Sequence, residues 1–319
     1  MNFTEICGKI MTNQGGERME NNQQKSLKRT DNALMPEASI FLQKSTVPTP
    51  GSMRNHHYHD YYEVYYLLDG DRYYFVKDKT YHIKSGSFVL IKPYDIHSTS
   101  KANENGYERY LISFRKKFLE DFLKGTDGEI LLTAFMSGGN VVSFSPEDRI
   151  VAENILSAML SEYQQKRAGY LQFLKASLMQ LLLIVARYGA DGESKVGLTD
   201  YFNPTHKTVS TVAAYINNNY SEDITLTSIS NRFFISPCYF SRIFKAATGF
   251  SFVEYLNGVR LKEARKLLAK TNMTVSDIGD RVGYKSNTHF GRAFKTAFGI
   301  SPTLYRKKAQ SEIYASEDE

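Results

Sequence analysis

Apolar residues recur along this chain with two different periods, and the change of period divides it. From about residue 41 to 114, short runs of β-branched and aromatic residues alternate with turn signals. The runs at 61–68, 72–76, 80–83 and 87–91 are separated by Asp69-Gly70-Asp71, Lys77-Asp78-Lys79 and Lys84-Ser85-Gly86. Strands at this spacing predict a small antiparallel sandwich or barrel. Residues 1–35 show no sustained periodicity and are rich in Asn, Gln, Glu, Lys and Gly, which predicts a disordered arm; Met19 and Met35 leave a later natural start open.

After Ser145-Pro146-Glu147 the period lengthens to that of a helix. Ser145 suits an N-cap and Pro146 the first turn, and Ile150, Ile155, Met159 and Tyr163 are expected on one face. A second helix, 170–188, is apolar over more than half its circumference. The pair is expected to pack on the sheet, on itself or on a second copy of the chain, so 36–188 is read as one domain. Residues 189–207 contain three Gly and one Pro among polar residues and read as an interdomain linker.

The last hundred residues carry an internal duplication. Leu226, Ile229, Arg232 and Phe233 recur 49 positions later as Val275, Ile278, Arg281 and Val282; after one inserted residue the offset becomes 50. Ser236, Phe240, Arg242, Phe244, Lys245, Ala247, Gly249 and Ser251 then have identical counterparts in Ser286, Phe290, Arg292, Phe294, Lys295, Ala297, Gly299 and Ser301. Each copy reads as helix, tight turn, helix. Thr225 and Thr274 suit caps of the first helices, Gly283 breaks the short helix of the second copy, and Ser236-Pro237 and Ser286 open the second helices, which Gly249 and Gly299 close.

The second helix of each copy has two faces. Phe240, Ile243, Phe244 and Ala247 form one apolar stripe, as do Phe290, Ala293, Phe294 and Ala297. The outward stripes are Cys238, Ser241, Arg242 and Lys245, and Thr288, Gly291, Arg292 and Lys295. A face with small polar residues near its N-terminus and a guanidinium beyond them suits a DNA major groove, with Arg on guanine and Lys on phosphate. Between the copies, 251–270 is apolar at Phe252, Tyr255, Leu256, Val259, Leu267 and Leu268 and basic at Arg260, Lys262, Arg265 and Lys266. As a helix, the nineteen steps from 251 to 270 span roughly 28 Å, close to the repeat of about 34 Å between successive major-groove faces.

Charge strengthens this reading. The chain has a net charge of +6, yet residues 208–310 hold 15 Lys and Arg against 6 Asp and Glu, so the basic excess lies wholly in the C-terminal third. A domain so charged suits a polyanion. The residues beyond, 311–319, form an acidic tail. The most apolar stretch, 178–186, is about half a membrane span, and no secretion signal opens the chain. Two cysteines, Cys7 and Cys238, cannot make a disulfide framework, so a reducing, cytoplasmic location is expected.

Residues 209–308 resemble the AraC/XylS family of bacterial regulators. The resemblance rests on Ser236-Pro-Cys-Tyr-Phe-Ser-Arg-Ile-Phe-Lys, Arg260-Leu-Lys-Glu-Ala-Arg-Lys-Leu-Leu, and Val275-Ser-Asp-Ile-Gly-Asp-Arg-Val-Gly-Tyr running into Gly299-Ile-Ser-Pro. It implies an all-α double helix-turn-helix domain over 208–310, in which both second helices face double-stranded DNA. The residues it places at DNA are Pro237, Cys238, Ser241, Arg242 and Lys245, with Asn287, Thr288, His289, Gly291, Arg292 and Lys295. It further implies that one chain reads DNA as a monomeric double unit in a transcription regulator, with activation the expected sense and a small-molecule effector and RNA polymerase as partners. A homodimer formed partly by the helices between Pro146 and Tyr188 is expected, and no membrane partner.

Upstream, Gly51-x5-His57-x-His59-x3-Glu63-x6-Gly70 fits the first motif of the cupin superfamily, and His97 follows Gly86 at the spacing of the second, although Lys92 and Tyr94 stand where Pro and Gly are usual. His57, His59 and Glu63 share parity along a strand and can point into a barrel. The fold class expected is therefore α+β multidomain, with a cupin-like antiparallel β-barrel and helical hairpin followed by the all-α domain. His57, His59, Glu63 and His97 could ligate a divalent transition metal, as in a metal-dependent cupin enzyme, or line a ligand pocket together with Tyr65 and Tyr74. The reading adopted is the pocket, with no enzyme activity, resident metal or cofactor. Aromatic crowding at Tyr58, Tyr61, Tyr62, Tyr65, Tyr66, Tyr73, Tyr74, Phe75 and Tyr81 suits a sugar, since aromatic faces stack on sugar rings, but also suits strands as such.

Overall fold

The computed structural model describes residues 40–48, 59–123, 130–136, 140–190 and 204–317. The arm 1–35, His57 and most of the linker lie outside the described residues. The chain forms two compact units, one running through Tyr215 and the other including Ile216–Lys245 and Phe250–Glu319.

In the N-terminal unit, strands β1 (Ile40–Val47), β7 (Tyr107–Phe114), β2 (Tyr62–Asp69), β5 (Ser87–Ile91) and β8 (Val141–Ser143) form one antiparallel sheet in that order. A second sheet has the order β4 (Lys79–Lys84), β3 (Asp71–Val76), β6 (His97–Lys101). The expected strands are present within one residue at each end. The barrel is not closed: among the described residues the sheets share no ladder, and they face one another as a sandwich.

The five-stranded sheet is buried on both faces, and side-chain alternation assigns each residue to one of them. Tyr65, Leu67, Val89 and Ile91 pack with Tyr74, Val76, Tyr81 and Ile83 of the smaller sheet. Their neighbours Val64, Tyr66, Phe88, Leu90, Tyr110 and Ile112 pack against helices α2 (Ile130–Met136), α3 (Pro146–Gln165) and α4 (Tyr170–Ala190). A short turn, α1 (Glu120–Leu123), precedes α2. Ser145 caps α3 by accepting from the Asp148 amide, with Pro146 in the first turn as expected. The buried face of α3 is Ala152, Leu156, Met159 and Glu162. Of the expected face, Met159 is buried and Ile155 and Tyr163 pack partly buried against the core, whereas Ile150 is 63 % exposed, because at 100° per residue it lies nearly opposite Met159 and Ala152. Within α4, Tyr170–Gly189 is long and apolar enough to cross a membrane; its Leu174, Leu178, Leu181, Leu182 and Val185 are fully buried in the core of this unit.

Helix α5 (Pro204–Asn219) begins inside the segment read as a linker. The C-terminal unit then comprises α6 (Leu226–Arg232), α7 (Pro237–Thr248), α8 (Phe252–Lys270), α9 (Val275–Arg281), α10 (Asn287–Phe298) and α11 (Pro302–Glu317). Thr225, Ser251 and Thr274 each form a reciprocal capping box, satisfying two amide donors that a helix start leaves unpaired. Ser286 caps α10, and Gly299 ends it in the left-handed conformation. Phe240 and Phe244 of α7 pack on Phe252 and Tyr255 of α8, while Phe290 and Phe294 of α10 pack on Tyr284 and Tyr305.

Candidate functional site

The two second helices, α7 and α10, present the expected faces. Phe240, Ile243, Phe244 and Ala247 are buried, as are Phe290, Phe294 and Ala297, with Ala293 half-buried. Pro237, Cys238, Ser241, Arg242 and Lys245 are exposed on α7; Asn287, Thr288, His289, Arg292 and Lys295 are exposed on α10. The Arg242 guanidinium lies over the Tyr239 ring, 5.7 Å from its centroid.

The second face is less available than its composition suggests. Asn287 donates from Nδ2 to Ser276 Oγ at 2.6 Å, and the His289 ring meets Tyr284 edge-on at 5.4 Å. Gly291 has open space where a Cβ would project, so the fold itself does not demand a glycine there. A bare patch of helix permits close approach of another backbone.

Inside the N-terminal unit a polar cluster sits between the sheets. Glu63 on β2 lies beside Ser113 on β7, and faces His97 on β6 and Tyr74 on β3. His59, just before β2, stacks flat on Tyr61 with ring centroids 3.8 Å apart. The His59 Nδ1 lies 2.9 Å from the Tyr61 carbonyl, and the His97 Nδ1 2.9 Å from the Asp95 carbonyl. With Nδ1–H donated in each case, Nε2 is the ring nitrogen left to meet a ligand. Those Nε2 atoms stand 3.3 Å and 3.9 Å from the two Glu63 oxygens.

Ligand atoms of His59, Glu63 and His97 thus lie within 4.8 Å of one another, and all three side chains are buried. Two imidazoles with oriented tautomers and one carboxylate form a donor set that fits a divalent transition ion. Such an ion would supply a Lewis acid able to hold anionic or hydroxyl oxygens. Without it, the same groups accept and donate hydrogen bonds to a polar ligand. His57, the fourth candidate, lies outside the described residues.

Tyr65 and Tyr74, expected in the pocket, meet edge-to-face at 5.1 Å. Burial is the main cause that raises both phenols above their ordinary range, so both hydroxyls stay protonated. The sequence reading missed Arg72, Thr99, Arg109 and Ser113. Arg72 is buried over the Tyr107 ring with Nη2 3.3 Å from Thr99 Oγ1, and Arg109 lies over the Tyr65 ring. Parity with Tyr74 would have pointed Arg72 inward; β7 had no assigned strand from which to read Arg109 and Ser113. Tyr94 takes φ 66° at the position where the cupin motif has Gly, and its amide donates to the His59 carbonyl at 2.7 Å. Tyr94 thus takes a left-handed conformation of the kind that favours glycine.

Two family profiles match the chain: an AraC-like ligand binding domain over residues 45–182 and a helix-turn-helix domain over residues 229–308. The uncharacterized HTH-type transcriptional regulator YfiF of Bacillus subtilis is 24 % identical over 80 % of this chain and 81 % of its own length. The HTH-type transcriptional activator RhaS of Pectobacterium carotovorum is 25 % identical over 82 % of this chain and 91 % of its own. Among solved structures, the C-terminal domain of AraT, a response regulator from Geobacillus stearothermophilus, is 37 % identical, covering 32 % of this chain and 84 % of that one with a TM-score of 0.31. The family profiles and the curated relatives favour a regulator over a metal-dependent cupin enzyme. The chain belongs to the AraC family of transcription regulators, with an N-terminal ligand-binding domain and a C-terminal helix-turn-helix DNA-binding domain.

Proposed function

We propose that this regulator takes a small polyhydroxylated effector, a sugar or similar molecule, between its two sheets, and that the bound effector changes how the C-terminal unit engages DNA. One observation carries the choice of site. The Tyr65 hydroxyl and Ser113 Oγ are fully buried and make no hydrogen bond among the described residues. Buried polar atoms left so are costly, and a hydroxylated ligand pairs with them. Glu63, Tyr74, His59 and His97 supply the surrounding donors and acceptors.

DNA is read by Pro237, Cys238, Ser241, Arg242 and Lys245 in the first unit and by Asn287, Thr288, His289, Gly291, Arg292 and Lys295 in the second. The second unit contributes more affinity than specificity. The protein acts in the cytoplasm as a homodimer, the exposed Ile150, Val151, Leu171 and Phe173 of α3 and α4 forming part of the contact, and it activates RNA polymerase, in keeping with relatives named as activators.

The test is a panel of sugars and polyols added to the purified chain, with thermal stability and affinity for a site selected from random duplexes as readouts. A ligand that raises the melting temperature and shifts DNA affinity is expected, with both effects lost in Glu63→Gln and Tyr65→Phe. Ligand effects that persist in both variants would remove the site from between the sheets.

The oriented imidazoles favour a second reading, in which a divalent ion at His59, Glu63 and His97 holds the effector's oxygens. Metal content measured after incubation with Mn²⁺, Co²⁺ or Zn²⁺ and dialysis decides it. One equivalent lost in His59→Ala and His97→Ala supports it; none retained by the wild type dismisses it.

A further inference from the structure

The two helix-turn-helix units are joined by more than the α8 rod. Arg260, midway along α8, donates from Nε to the Tyr220 carbonyl and from Nη2 to the Glu222 carbonyl, each at 2.8 Å. Those carbonyls belong to the loop that leads into the first unit. On the other side the Arg260 guanidinium lies over Tyr284, in the turn of the second unit, 5.9 Å from the ring centroid. Lys285 of that turn pairs with Asp223 of the loop at 2.6 Å. The loop 220–223 of one unit and the turn 283–285 of the other are therefore in direct contact, with Arg260 between them.

The duplication supplies an internal control. Gly283 has φ 90°, and a Cβ there would stand 2.8 Å from the Ser221 carbonyl and 2.9 Å from Arg260 Nη2. Its counterpart in the first copy is Phe234, also left-handed at φ 54°, and 95 % exposed. The turn geometry thus accepts a large side chain where nothing is packed against it. Glycine at 283 is required by the close approach of the 220–223 loop, and not by its dihedral angle alone.

We propose that this lock fixes the relative placement of α7 and α10, so that the domain reads the spacing between its two DNA half-sites as well as their sequences. The inference rests on the DNA-binding reading of both helices. With α8 alone, the 271–274 loop at its end offers a place to flex. The contact among Arg260, Gly283, Lys285 and the 220–223 loop removes that freedom. One inserted base pair shifts a half-site by about 3.4 Å along the axis and rotates it, which a rigid pair of readers cannot follow.

The experiment uses the full chain and the site it selects from random duplexes, rebuilt with one base pair added or removed between half-sites. Wild type is expected to lose affinity about tenfold or more on either change, comparable to a mismatched base. Gly283→Ala and Arg260→Lys should reduce that loss to about threefold while binding an isolated first half-site as wild type does. Asp223→Ala with Lys285→Ala, both exposed, supplies a pair of changes that spares the fold if the other variants prove unstable, and should also relax the spacing penalty. Retention of the full wild-type penalty in every folded variant, or no penalty in the wild type, overturns the lock. Failure of wild type to select any DNA would instead refute the DNA-binding reading beneath it.

Discussion

Tyr74 donates its hydroxyl to Glu63 Oε1 at 3.3 Å, joining the smaller sheet to the larger one across the interior of the N-terminal unit. Burial and, after it, the Glu63 charge hold the phenol well above its ordinary range, so the donor persists at any physiological pH. Tyr74→Phe removes this bond and leaves a buried carboxylate with one donor fewer. We expect a loss of about 1–2 kcal/mol in the urea stability of this unit, followed by hydrogen exchange of β2 and β3. Unchanged protection would mean that the bond contributes nothing.

On the DNA face, Arg242→Ala should cost about 1–3 kcal/mol against the preferred base and relax selection at one position. Lys245→Ala should weaken all sequences alike and lower the salt slope by about one. Filter binding on selected and random duplexes across a salt series separates the two. Equal loss on both duplexes for Arg242→Ala would reassign that residue to the backbone.

Cys238 is exposed at the start of α7. Bound DNA should therefore shield its thiol from an aromatic disulfide reagent, and prior carboxymethylation should abolish binding by adding charge and bulk. A thiol that reacts at the same rate with and without the selected site would place α7 away from the groove.

Gly291→Ala tests the bare patch on α10. A helix gains roughly 0.5–1 kcal/mol when an interior glycine becomes alanine, and open space beyond Cα means that no clash opposes this. The variant should be more stable yet bind DNA more weakly. Denaturation and binding measured on one preparation check both signs, and undiminished binding would show that nothing approaches the helix at that point.

Phe234→Gly should stabilise the C-terminal unit by about 1 kcal/mol, since a left-handed residue is strained and this side chain is 95 % exposed among the described residues. The same measurement on Gly283→Ala should have the opposite sign. A destabilised Phe234→Gly would show that the exposed ring makes a contact in solution.

Much of this architecture was legible in the residues. Ser145, Thr225 and Thr274 mark helix starts because capping is local chemistry, fixed within three residues of chain. The duplicated stripes of α7 and α10 were legible for the same reason, since period and burial coincide on an amphipathic helix. Long-range relations were not. Arg260 reads as one more basic residue on a DNA-facing rod, and only the fold returns the loop 220–223 to it. Sheet closure was likewise out of reach, because alternation specifies which face a residue takes and not whether edge strands meet. Arg72 and Ser113 escaped notice because charged and small polar residues on strands are ordinarily solvent-facing, whereas Arg72 of the smaller sheet and Ser113 of the larger each lie on the side that faces the other sheet.

That double covering bears on how such a regulator changes its effector over generations. Along β2, Glu63, Tyr65 and Leu67 belong to the chamber, while Val64 and Tyr66 belong to the helical layer. The strand is read in two interleaved registers, and substitutions in one leave the other's side chains in place. With the effector held between the sheets as proposed, ligand preference can drift at alternate positions without disturbing the surface that receives α2, α3 and α4. A shift of the backbone itself is felt in both registers at once, which makes the strand a poor place for an insertion and a good one for a signal.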